Sequence, residues 1–153
     1  MNNNLLHNLP FVSAFLGMLI AQGLKPLVSL IFYKKFDLHL LFSTGSMPSS
    51  HSAAVVALAT SIGIVWGIGS TAFAISMVLA GIVIHDAMGI RNEAGKQAQV
   101  INNWSRVLSS IAEEGKISEE NLKTMLGHSF SQVAGGILLG IIVGFLFTKT
   151  ILF

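Results

Sequence analysis

A chain of 153 residues has room for one domain, and this one is 52% apolar and only 10% charged, with a mean hydropathy of +0.71. Soluble domains carry about 25% charged residues, so the shortfall, with the apolar residues gathered into separate runs, places the chain in the membrane class. The absence of cysteine excludes disulfides, thiolate metal sites and cysteine nucleophiles, and a net charge of +2 gives no argument for nucleic acid.

Met1 to Pro10 contains no Lys or Arg. It therefore lacks the charged opening of a cleaved signal peptide, and the first hydrophobic stretch is expected to remain as a span. Crossing a hydrocarbon core of ~30 Å takes about 20 helical residues. The first candidate covers residues 11–33 and is interrupted by Lys25-Pro26. Proline lacks the ladder donor and restricts the residue before it, which predicts a kink near Lys25. A polar, Gly/Ser-rich connection, residues 34–50, follows.

Residues 49–90 are almost wholly apolar as far as His85 and too long for one crossing. Gly67, Gly69 and Ser70 mark a turn that divides them into antiparallel spans at 50–66 and 70–90, both a little short. The segment 91–127 is polar. Within it Ile90, Ala94, Ala98, Ile101, Trp104, Leu108 and Ile111 recur every three or four residues, which predicts an amphipathic helix on the membrane surface or across the bundle. Ser118 ahead of Glu119 and Glu120 reads as an N-cap, and Gly127 as a helix stop. The last span is expected at 130–148. The fold class is thus all-α: one membrane-embedded domain, 1–153, of about four spans plus an interfacial helix.

Four crossings place residues 34–50 and 91–128 on one side. That side carries Lys34, Lys35, Arg91, Lys96, Arg106, Lys116 and Lys123, whereas the other carries Lys149. The excess of Lys and Arg makes the first side cytoplasmic. The same topology brings three polar segments to that face: Gly45 to His51, His85-Asp86 with Arg91, and Gly127-His128-Ser129.

Two of these segments open helices, whose unpaired N–H groups and partial positive charge attract phosphate. Ser49 and Ser50 can cap the second span while offering hydroxyls and amides to an anion. Lys25 and Arg91 would add cations, Arg91 with a planar fork of donors. His51 and His128 can then act as proton donor and nucleophile. Each has a plainer reading as well: a helix cap for Ser49 and Ser50, snorkelling for Lys25, and an ion pair with Arg91 for Asp86.

The segment Gly45-Ser46-Met47-Pro48-Ser49-Ser50-His51-Ser52-Ala53 resembles the Pro-Ser-Gly-His motif of the type-2 phosphatidic acid phosphatase superfamily, in the wording of its small divergent branch. Asp86-Ala87-Met88-Gly89-Ile90-Arg91, with Ala94-Gly95-Lys96-Gln97-Ala98 and Asn102, is similar to a second signature of that branch. Gly127-His128-Ser129-Phe130-Ser131-Gln132-Val133, with Gly136 and Gly140, is similar to a third. The resemblance implies that His128 attacks phosphorus to form a phosphohistidine and that His51 protonates the leaving alcohol. Lys25, Ser49, Ser50, Arg91 and Lys96 would hold the phosphate oxygens, and no metal or other cofactor would be needed. The substrate would be a lipid phosphate monoester or diphosphate entering from the bilayer.

Two positions depart from the pattern. The superfamily pairs its lysine with an Arg-Pro seven residues on, but here Phe32 and Tyr33 stand there, so Lys34 or Lys35 would have to substitute. The acid expected four residues after the nucleophile is Gln132, which can position an imidazole without stabilising its cation; Asp86 is the candidate to supply that charge. Two rivals remain: a non-catalytic protein that binds anionic headgroups or scaffolds a partner, and a transporter subunit with Asp86 and Lys25 on an ion path. Gly136, Gly140 and Gly144 form a small-residue face, suited to packing within the bundle and leaving a homo-oligomer open.

Overall fold

The computed structural model describes residues 5–42, 45–111, 122 and 128–152. Five α-helices appear in order: α1 (Leu9–Tyr33), α2 (Ser50–Trp66), α3 (Thr71–Met88), α4 (Ile90–Ile111) and α5 (Phe130–Leu152). No strand occurs among the described residues. The expected cap at Ser118, the stop at Gly127, and Lys116 and Lys123 lie outside the described residues.

Local chemistry starts and stops these helices. Asn8 caps α1 by accepting from Phe11 N–H at 3.2 Å, and Ser70 caps α3 by accepting from Phe73 N–H at 3.2 Å. Pro26 lies inside α1, which nevertheless continues as helix to Tyr33 and ends at Lys34 in the left-handed region, φ 55°. Gly67, at φ +83°, ends α2 in a conformation that disfavours any side chain. The boundaries agree with the expected spans to within a few residues.

The bundle is an all-α membrane fold. The helix α1, the run that begins with α3, and α5 are long and apolar enough to cross a membrane. At 17 residues α2 is shorter, and it sits centrally, packed against α1, α3 and α5. Enclosed by its neighbours, α2 carries small residues rather than a lipid-facing surface: Ser52, Ala53, Ala57, Ala59 and Ser61 are all buried.

Opposite them, α5 presents Gly136, Gly140 and Gly144, also buried. A Cβ at Gly136 would stand 2.5 Å from Ser49 O, and one at Gly140 would stand 2.6 Å from Ala53 O. The small-residue face is therefore occupied within the chain, where it lets two backbones nearly touch. Thr148 donates to Ser61 Oγ at 2.7 Å lower in the same interface, satisfying two buried hydroxyls away from water.

The single turn residue Gly89 separates α3 from α4. The interfacial helix forms as its period predicts, but with its apolar stripe outward: Ile90, Ile101, Trp104 and Leu108 are exposed, while Gly95, Ala98 and Asn102 are buried. An exposed apolar stripe that continues from a membrane-crossing helix belongs in the interfacial layer of a bilayer, and not across the bundle. Asn102 fastens the later chain to α4, donating to Leu122 O at 2.9 Å and accepting from Leu122 N–H at 3.0 Å.

Candidate functional site

The alternation of helices brings the end of α1, the start of α2, the end of α3 and the start of α5 to one end of the bundle. Backbone bonds hold them there. Ser49 N–H donates to Gln132 O at 3.0 Å, joining the entry of α2 to the first turn of α5. His128 N–H donates to Ala87 O at 2.9 Å, joining the entry of α5 to the last turn of α3. Gln22 on α1 donates to Leu41 O, which fixes the turn Leu38–Phe42 against α1.

His128 is 4% exposed, and its environment sets its tautomer. Gln132 Oε1 lies 3.2 Å from His128 Nδ1 and accepts from Ser129 N–H at 3.0 Å. Gln132 Nε2 donates to Gly45 O at 3.3 Å. These bonds assign the amide: the atom facing the imidazole is the carbonyl oxygen, a pure acceptor. Nδ1 is then the donor in this contact, and Nε2 is the ring nitrogen that Gln132 does not engage. The one-turn spacing between His128 and Gln132, visible in sequence, thus becomes a hydrogen-bonded orientation of the imidazole.

Gln132 is also part of the wall of a cavity of about 470 Å³, open on one side, with Lys25, Ser29, Lys35, Asp37 and Ser46 around it. Lys25 is fully buried. Of the two lysines that might replace the missing Arg-Pro, only Lys35 lines this cavity; Lys34 is consumed as the left-handed end of α1, donating its N–H to Leu30 O at 3.1 Å. Asp37 accepts from His39 N–H at 2.9 Å and so caps the following turn. Lys35, Ser46, Ser29 and Asp37 were not singled out together in the sequence, because no spacing rule joins α1 to the loop before α2.

The remaining expected residues divide. Ser49 is buried and acts as the cap of α2: its Oγ accepts from Ser52 N–H at 3.3 Å and from Ser52 Oγ at 3.0 Å, and its amide is taken by Gln132. Ser50, buried beside it, begins the helix. Asp86 is half-buried next to Ala87, the residue bonded to His128. His51 is exposed on the first turn of α2. Lys96 is not drawn into the cluster; it is exposed and paired with Glu93 at 2.7 Å, one turn back along α4. The side chain of Arg91 lies outside the described residues. No group of three His, Asp or Glu in a metal-binding arrangement occurs among the described residues.

Residues 6–143 match the sequence family described as the Divergent PAP2 family. The chain is also 40% identical over 147 residues to the uncharacterized membrane protein YuiD of Bacillus subtilis (strain 168), covering 91% of this chain and 93% of that protein. No solved structure matches.

Proposed function

This chain belongs to the Divergent PAP2 family, and from that premise we propose that it hydrolyses a lipid phosphate monoester or diphosphate through a phosphohistidine on His128. The observation that carries the reading is the chain of bonds from the buried imidazole, through its Nδ1, to Gln132 and on to Gly45, both of which line a cavity containing Lys25. In the first step Nε2 forms a bond to phosphorus as the phosphorus–oxygen bond to the leaving group breaks, the alcohol in a monoester and the lipid monophosphate in a diphosphate, and His51 gives its proton to the departing oxygen. In the second, His51 takes a proton from water, the hydroxide attacks phosphorus, and the nitrogen–phosphorus bond breaks. Lys25 offsets charge on the phosphate oxygens.

The test is phosphate release by purified protein in detergent from a panel of lipid phosphates and diphosphates. Release from one chemical class is expected; headgroup binding with no release from any substrate would leave the binding-only reading, which the neutral Gln132 favours.

Gln132→Glu separates the two duties of that residue. A carboxylate would still accept from Nδ1–H and would better stabilise the imidazolium, so the phosphorylation rate should rise several-fold. It cannot donate to Gly45 O, so that bond is lost and two oxygens face each other, at a cost of roughly 1–3 kcal/mol. The expected result is a faster first step with a lower Tm. An unchanged rate would remove Gln132 from the role of orienting His128.

We further place the site on the cytoplasmic face, supported by the Lys and Arg excess at this end of the bundle. A cysteine replacing Asn103, exposed on α4, should react only with reagents that reach the cytoplasm. Labelling by an impermeant reagent outside intact cells would reverse the orientation.

A further inference from the structure

We propose that Asn102 is a positioning residue for His128: its carboxamide clasps the backbone of Leu122 to α4 and so fixes the chain that delivers the imidazole to the site. The inference rests on the phosphatase reading for what His128 does, and on these two bonds for how it is held.

Three observations carry it. The first is the form of the contact. Asn102 is 9% exposed, donates to Leu122 O at 2.9 Å and accepts from Leu122 N–H at 3.0 Å. Both bonds go to one residue, so the carboxamide pairs with Leu122 as a neighbouring strand would and fixes its direction as well as its place. Ionised aspartate lacks the donor and leucine lacks both groups, so at this size only asparagine makes the pair. The second observation is the place of α4. Among the described residues it touches no helix but α3, which it joins through Gly89. Its stripe of Ile101, Trp104 and Leu108 is exposed, while Gly95, Ala98 and Asn102, spaced by three and four, form the buried side. The clasp at Leu122 therefore ties α4 to the chain that returns to the bundle.

The third observation is the place of His128. It stands ahead of α5, where Ser129 O accepts from Gln132 N–H and Val133 N–H to open the helix, so the helical ladder does not hold it. Its own N–H donates to Ala87 O at 2.9 Å, and its Nδ1 meets Gln132 Oε1 at 3.2 Å. A residue outside the ladder takes its position from the incoming chain as well. Leu122 comes six residues earlier, a separation that even fully extended backbone limits to about 20 Å. The incoming chain is thus tied to α4 at Leu122 and to α3 at His128, on the two sides of the Gly89 junction. Releasing the first tie returns conformational freedom to the chain between them, and the bond from His128 N–H to Ala87 O is where that freedom acts.

The test is amide hydrogen exchange on the whole chain in lipid nanodiscs, read at Leu122, at His128 and, as the control, along α2. In the wild-type chain the Leu122 and His128 amides should open together, with one opening free energy and one response to temperature, as members of a single cooperative unit. Asn102→Leu keeps the size of the side chain and removes both bonds. It should speed exchange at Leu122 and at His128 by about tenfold, the scale of one lost hydrogen bond, and leave α2 unchanged. On the lipid phosphate that the wild-type chain hydrolyses fastest, the same variant should lower kcat by about tenfold and keep KM within about twofold, because Asn102 acts on the nucleophile and not on the bound lipid. Faster exchange at Leu122 alone would show a local brace and overturn the proposal. Independent opening of the two amides in the wild-type chain would also overturn it, and that measurement needs no variant to fold. Coupled exchange in a chain that hydrolyses no lipid would sink the phosphatase reading and keep the tie between Asn102 and His128. Hydrolysis with uncoupled exchange would do the reverse.

Discussion

His128→Ala should leave the bundle folded and reduce phosphate release by roughly 10³-fold or more, the scale of losing a nucleophile or general base. The fold should survive because the link between α5 and α3 is made by the His128 backbone N–H to Ala87 O, which alanine keeps. Gln132 also retains Ser129 N–H and Gly45 O as partners, so the lost side-chain bond costs only about 1 kcal/mol. With radiolabelled substrate, the wild-type protein should accumulate an acid-labile, base-stable phosphoprotein that the variant lacks. His51→Ala should behave differently, forming the adduct from activated esters and failing with poor leaving groups, because in the proposed mechanism it protonates the departing oxygen. An active His128→Ala protein would end the phosphohistidine mechanism.

Gly136→Ala should have the largest effect on stability of any single methyl group in the bundle, and should abolish activity with it. The new Cβ would lie 2.5 Å from Ser49 O and 3.0 Å from Ser52 Cβ. A backbone carbonyl cannot rotate away as a side chain does, so α5 must move off α2, at roughly 1–3 kcal/mol for overpacking. That movement strains the 3.0 Å bond from Ser49 N–H to Gln132 O, and Gln132 is the residue that holds His128. Gly81→Ala is the control. On α3 a Cβ at Gly81 meets nothing within 4 Å, so the substitution should be neutral or add about 0.5–1 kcal/mol through reduced backbone entropy. Thermal denaturation in detergent, read beside turnover, checks both. Equal Tm for the two variants would mean that the α2–α5 contact is looser than described.

The membrane class, the positions of the apolar helices and the amphipathic helix at 90–111 were legible in the sequence, because each depends on properties that accumulate along the chain. Apolar run length sets a crossing, a three-to-four-residue period sets a helical face, and a Ser or Asn before an apolar run sets a cap. The relation of His128 to Gln132 was legible for the same reason, since four residues make one helical turn. The outward direction of the α4 stripe was not. Periodicity fixes which residues share a face but not what the face meets, and here the small residues Gly95, Ala98 and Asn102 turned inward instead.

What only the tertiary structure decided are contacts between residues far apart in the chain. Gln132 reaches Gly45, 87 residues away, and that bond establishes which end of its amide faces the imidazole. The pattern at Lys34-Lys35 offered two equivalent cations; the left-handed end of α1 used one as a terminator and brought the other to the cavity. Lys96 matched a signature residue, yet Glu93 three residues earlier lies within reach and holds it at the exposed side of α4. Ser46 had no sequence signal at all, because an unmet hydroxyl is defined by everything that surrounds it. The glycines of α5 were visible as a face, but that face belongs to α2 only because Ser49, Ala53 and Ala57 are small enough for two helix backbones to meet. That complementarity is a property of the pair, which neither segment carries alone.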